Sequence, residues 1–117
     1  MTTPAIILCR PQLGENIGAA ARAMKNFGLS DLRIVAPRDT WPNERAYAMA
    51  VTAKDILDSA RLYDDLHDAL ADLNLVYATT ARDRGITKEV LTPEEGARRL
   101  RKAVKILQKL LPSRNWF

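Results

Sequence analysis

Cysteine and histidine are nearly absent: Cys9 and His67 are the only ones in 117 residues. One cysteine excludes an internal disulfide, and one of each leaves zinc chemistry without a ligand set. A cytosolic setting is the default for such a chain. No apolar run approaches the roughly 18 residues of a membrane span. No basic segment precedes the short apolar run in the opening residues MTTPAIILCRPQ, so no secretory leader is expected. Gly-x-Gly is missing from the segment GENIG and no Gly-Lys-Ser/Thr follows it, which excludes the dinucleotide fingerprint and the phosphate loop. Acidic residues are missing from one stretch only. Residues 98–117 hold seven Lys/Arg and no Asp/Glu, whereas residues 1–97 hold 11 basic and 14 acidic residues. The formal net charge of +4 therefore belongs to the last segment and not to the whole chain.

What remains is a soluble globular composition, 47% apolar and 27% charged, with length for one core. AIILC (5–9) is a short apolar run that predicts a strand covered on both faces, with Cys9 buried in it. A helix is expected from about Glu15 to Phe27, stopped by Gly28. LRIV (32–35) reads as a second strand and NERAYAMA as helical, while KDIL and ARLY leave room for one short strand. DDLHDALADL predicts a helix with acidic residues at its start, and His67 among Asp64, Asp65 and Asp68 reads as part of a solvated face. LVYATT (75–80) predicts a strand. A last helix is capped by Thr92, with Pro93 in first position and Glu95 three residues after the cap. Alternating strands and helices imply an α/β fold, a parallel sheet with helices on both faces. Ligands of such sheets bind beyond the carboxyl ends of the strands. The loops RPQLGENIG and TTARDRG would lie there.

The first helix carries the main functional question. Ile17, Ala20, Ala21, Met24 and Phe27 form an apolar stripe, and Gly18, Arg22 and Lys25 fall on a neighbouring one. Gly18 and Ala19 are small enough for a bulky partner to approach the backbone. Asn16 stands near the helix start, where free N–H groups favour an anion. A phosphate or sugar hydroxyl would fit between that start and Arg22, but an ordinary amphipathic helix with an exposed arginine accounts for the same residues.

PQLGENIGAAARAMKNFGLSDLRIVAPR resembles the first motif of the SpoU (TrmH-like) branch of the SPOUT RNA 2′-O-ribose methyltransferases, and most of all the TrmJ-like bacterial members that act in the tRNA anticodon loop. The likeness continues through AVTAKDIL, DDLHDALADLNLVYATTARDRG and LTPEEGARRL, about residues 5–103. It implies a Rossmann-like domain with a C-terminal trefoil knot, usually homodimeric and cytoplasmic, that transfers methyl from S-adenosylmethionine to a ribose 2′-hydroxyl of tRNA or rRNA. By the same resemblance Asn16 and Arg22 match the catalytic pair, and Thr79, Thr80 and Ala81 match the stretch lining the methyl-donor pocket, with Thr80 in place of Ser. Arg82 matches the arginine that follows, so that Arg22, Lys25, Arg82 and Arg84 are the expected RNA contacts. A ribose hydroxyl is a poor nucleophile until its oxyanion is stabilised. A guanidinium stays charged at physiological pH, which suits positioning and electrostatics and not proton abstraction.

The family's later Gly-rich loop and Ser-Leu-Asn motif have no counterpart in KILQKLLPSRNWF. Residues 1–104 are therefore expected to be the N-terminal part of such a domain and residues 105–117 an atypical basic helical tail. The donor pocket would be incomplete and the chain alone inactive. Leu100, Val104, Leu107 and Leu111 make an apolar stripe, with basic residues opposite that could meet RNA phosphates, and Trp116 and Phe117 could stack on bases. A methyltransferase part, a non-catalytic RNA-binding module and an inert fragment all remain open, each with self-association expected from uncovered apolar surface.

Overall fold

A computed structural model describes residues 3–79 and 90–110, with side chains as far as residue 102. Thr80, Ala81, Arg82, Arg84, Leu111, Trp116 and Phe117 lie outside the described residues. The chain divides into two compact units, Thr3–Asp72 and a second from Leu73 onward.

Elements of the first unit follow one another as β1 (Ile6–Cys9), α1 (Gly14–Asn26), β2 (Leu32–Val35), α2 (Glu44–Ala50), a 3-10 turn (Val51–Ala53), α3 (Lys54–Asp58), β3 (Arg61–Tyr63) and α4 (Leu66–Leu70). The three strands are parallel in the order β1-β2-β3, with Ile6 opposite Leu32 and Arg33 opposite Arg61. Strand alternation turns Leu32 and Ile34 to one face, where they pack with Ile17, Ala21 and Met24 of α1, Ala46 and Ala50 of α2, and Ile56 and Leu57 of α3. Every residue of the central strand β2 is buried. Expectation and structure part at β1. Its residues are half-buried and Cys9 is exposed, because among the described residues β1 is at the edge of the sheet and Cys9 is its last residue.

Arg33 points to the other face, and α4 covers it. It is 2% exposed and all its N–H groups are engaged. Nη1 donates to Asp72 Oδ1 at 2.6 Å and to the Ala69 carbonyl at 2.7 Å. Nη2 donates to Asp72 Oδ2 at 3.0 Å and Asp31 Oδ2 at 2.9 Å, and Nε reaches Asp31 Oδ1 at 3.3 Å. Asp31 also accepts from Arg61 Nη2 at 3.0 Å. A buried guanidinium is tolerated only when paired and fully bonded. The Arg33 bond holds the Asp72 carboxyl below its usual range. For Asp31, partial burial pushes upward, but the bonds from Arg33 and Arg61 prevail and the net shift is downward.

Helix ends obey local chemistry. Asn43 caps α2, accepting from Arg45 N at 2.9 Å and Ala46 N at 3.4 Å. Asp65 caps α4 through the N–H of His67 at 3.0 Å, and His67 is exposed. Gly28 has φ of 71°, the left-handed conformation that ends α1.

In the second unit, residues 75–79 belong to no strand. A strand exists through its ladder, and among the described residues this segment has none; Leu75, Val76 and Tyr77 are 40–50% exposed. Helix α5 (Pro93–Leu110) begins with the expected reciprocal cap. Thr92 Oγ1 accepts from Glu95 N and Glu95 Oε2 accepts from Thr92 N, both at 3.2 Å.

Candidate functional site

Gly14 and Gly18 lie four residues apart on the face of α1 that meets α2. A Cβ on Gly18 would run into the Ala46 carbonyl oxygen and stand 2.8 Å from Met49 Cβ. A Cβ on Gly14 would stand 2.5–2.8 Å from the side-chain atoms of Asn43. The bulky partner that approaches this backbone is therefore helix α2, not a ligand. The space read at Gly18 is already filled.

Helix α1 starts one residue earlier than expected, and Leu13 caps it without a side-chain bond. Asn16 is exposed, and its own N–H already donates to the Leu13 carbonyl at 3.1 Å. Glu15 occupies the first turn, where its charge competes with any anion drawn to the helix start. Arg22 is exposed and makes no ion pair among the described residues. Six residues at about 100° each set Asn16 and Arg22 roughly 120° apart around the helix, so they occupy adjacent faces. Lys25, beside Arg22, donates to Asp55 Oδ2 at 2.8 Å in an ion pair whose partners are 46% and 62% exposed. Such a solvent-exposed pair is screened by water and salt and contributes little. Arg22, unlike Lys25, has no ion-pair partner among the described residues.

The carboxyl ends of the strands carry a repeated device that the sequence reading missed. Arg10 and Ala36, the residues just after β1 and β2, have φ of 51° and 42°. Each turns its N–H onto the neighbouring strand: Arg10 N donates to Val35 O at 2.7 Å and Ala36 N to Tyr63 O at 2.8 Å. The two following loops are then joined by Arg38 N donating to Pro11 O at 3.1 Å. The loop RPQLGENIG is thereby fixed at the sheet end where ligands of parallel sheets bind. A left-handed residue that is not glycine leaves little signal in a sequence, since only its conformation is unusual.

Thr79 is exposed and belongs to the second unit, while Asn16 and Arg22 belong to the first. Two concavities among the described residues are shallow and open. One is lined by Glu15, Arg45, Ala48 and Met49, the other by Lys25, Gly28, Leu29, Ser30, Asp55 and Ile56. Neither involves Thr79. Among the described residues no group of His, Cys, Asp or Glu could hold a metal ion, and no helix is long and apolar enough to cross a membrane.

Known proteins resemble this chain closely. A tRNA (cytidine/uridine/adenosine-2′-O-)-methyltransferase TrmJ of Pseudomonas aeruginosa is 47% identical over 92 residues, 79% of this chain and 35% of that protein. A tRNA (cytidine-2′-O-)-methyltransferase TrmJ of Methanocaldococcus jannaschii is 42% identical over 93 residues, 77% of this chain and 40% of that protein. The crystal structure of TrmJ from Z. mobilis superposes with a TM-score of 0.82 at 57% identity, covering 86% of this chain and 45% of that one. The chain thus spans less than half the length of these relatives. Residues 3–106 match the SpoU rRNA Methylase family, and the chain belongs to that family.

Proposed function

We propose that residues 1–104 form the substrate-side part of an RNA 2′-O-methyltransferase domain, followed by a basic helical tail over 105–117. The full reaction would move a methyl group from S-adenosylmethionine to a ribose 2′-hydroxyl of tRNA, in the cytoplasm. The observation that carries this reading is Arg22: exposed, without an ion-pair partner among the described residues, and within residues 3–106, which match the SpoU family. Its planar fork suits the phosphate beside the reacting ribose, and its fixed charge suits the alkoxide that develops as the hydroxyl attacks. Asn16 would orient the sugar from the adjacent face. Lys25, freed from Asp55, would add a second phosphate contact, with Arg82 and Arg84 as further RNA contacts. Thr79, Thr80 and Ala81 would supply one wall of the donor site, and the chain alone would neither bind the donor with micromolar affinity nor turn over. Joining residues 3–103 to the remaining part of the Z. mobilis relative tests this. The chimera is expected to bind the donor and methylate a tRNA transcript. A folded, donor-binding chimera with no transfer to RNA would overturn the reading.

Self-association forms part of the proposal. Phe27 is 81% exposed and Leu62 and Leu66 are 48% and 40% exposed. Exposed apolar surface of this kind favours pairing. Light scattering at high micromolar concentration should give the mass of a dimer or larger; a clean monomer would contradict it.

A further inference from the structure

The region 1–97 carries more acidic than basic residues, 14 against 11, so an RNA-acting chain must find its net attraction elsewhere. We propose that the basic stripe of α5 is an RNA-phosphate docking surface, separate from the one around Arg22; the inference rests on the RNA reading above. Helix α5 runs 18 residues from a completed Thr92–Glu95 cap, which sets its register. Arg98, Arg101 and Lys102 are exposed and make no ion pair among the described residues. At about 100° per residue, positions 98, 102, 105 and 109 fall within roughly 60° of one another, and 101 borders them. All five positions are Arg or Lys. They extend over about 16 Å of helix, long enough to follow several phosphates. Positions 100, 104 and 107, all Leu or Val, share a register on the opposite side. The helix therefore has one side suited to apolar contact and another whose positive charges are spaced along a line. A line of cations complements a polyanion strand and reads no sequence, so it would raise affinity for RNA generally and leave selection of the nucleotide to the site.

The same amphipathic pattern suits an anionic membrane surface, and the test separates the two. This chain is titrated into a labelled tRNA transcript between about 50 and 300 mM salt, a range over which phosphate contacts dominate the change in affinity. The triple variant Arg98→Gln, Arg101→Gln, Lys102→Gln is titrated alongside, with circular dichroism confirming that the helix persists. Wild type should bind with a steep salt dependence. The variant should bind at least about tenfold more weakly at low salt, with a log–log slope shallower by about two. Binding with unchanged affinity and slope in the variant would overturn the docking surface and leave the RNA reading intact. Wild-type binding to phosphatidylserine vesicles but not to RNA would overturn it in favour of a membrane. Failure of the chimera described above, which keeps Arg98, Arg101 and Lys102, to methylate RNA while the wild-type chain still binds RNA through α5 would instead strike the RNA reading itself.

Discussion

Glycine can be open or occupied, and in this chain a single substitution tells the two apart. Gly18 meets Ala46 and Met49 of α2, whereas a Cβ on Gly96 in α5 would meet nothing within 4 Å. Alanine is the better helix former by about 0.8–1.0 kcal/mol, so Gly96→Ala should raise helix content in circular dichroism. Gly18→Ala should do the reverse, lowering stability by about 1–3 kcal/mol through overpacking against α2. A neutral or stabilising Gly18→Ala in urea unfolding would mean that the two helices do not depend on close approach. The sequence reading placed Gly18 on the right stripe but assigned its space to a ligand. Helical spacing says which residues share a face; what fills that face is decided by a helix 26 residues further on, whose approach no local pattern records.

Elements were largely legible where local chemistry decides them. The Thr92–Glu95 box, the Gly28 stop and the apolar runs of β1 and β2 were all readable because caps, left-handed glycine and burial each leave a residue signature. Segment 75–79 was not, because its apolar composition suits a strand but a strand also needs a neighbour to bond. Nor was the Arg33 clamp, although a lone arginine inside LRIV was the available sign of it. Arg33 ties β2 to the end of α4 through Ala69 and Asp72. Lysine is a point charge and cannot hold these partners at once, so Arg33→Lys should cost about 1.5–3 kcal/mol, the worth of a charged hydrogen bond. The carboxyls it holds have lowered pKa values, so their contribution is present above the ordinary aspartate value of 3.8 and is lost as pH falls through the lowered values. Wild type should therefore lose this contribution as pH falls below the ordinary aspartate value of 3.8. Asp72→Asn should be less stable at neutral pH and converge on wild type in acid, as read by urea unfolding at a series of pH values. Parallel curves would remove Asp72 from the clamp.

Across the whole molecule, charge and motif are divided. The first unit holds the motif helix with Asn16 and Arg22, and α5 in the second holds the basic excess. The sequence alone showed this division, because charge counts do not depend on tertiary contacts. It also pointed to the family, through a long motif. The central claim is that Arg22 serves the RNA in the reaction and does not hold the methyl donor. Its most direct test is tRNA methylation by the chimera with Arg22→Ala and Arg22→Lys, with donor affinity measured in parallel. Both variants should lose roughly 100-fold or more in kcat, as expected for a fixed charge at a developing oxyanion, while donor binding stays within about threefold, a shift of less than about 1 kcal/mol. Near-normal turnover by the lysine variant, or loss of donor binding in step with turnover, would contradict the account.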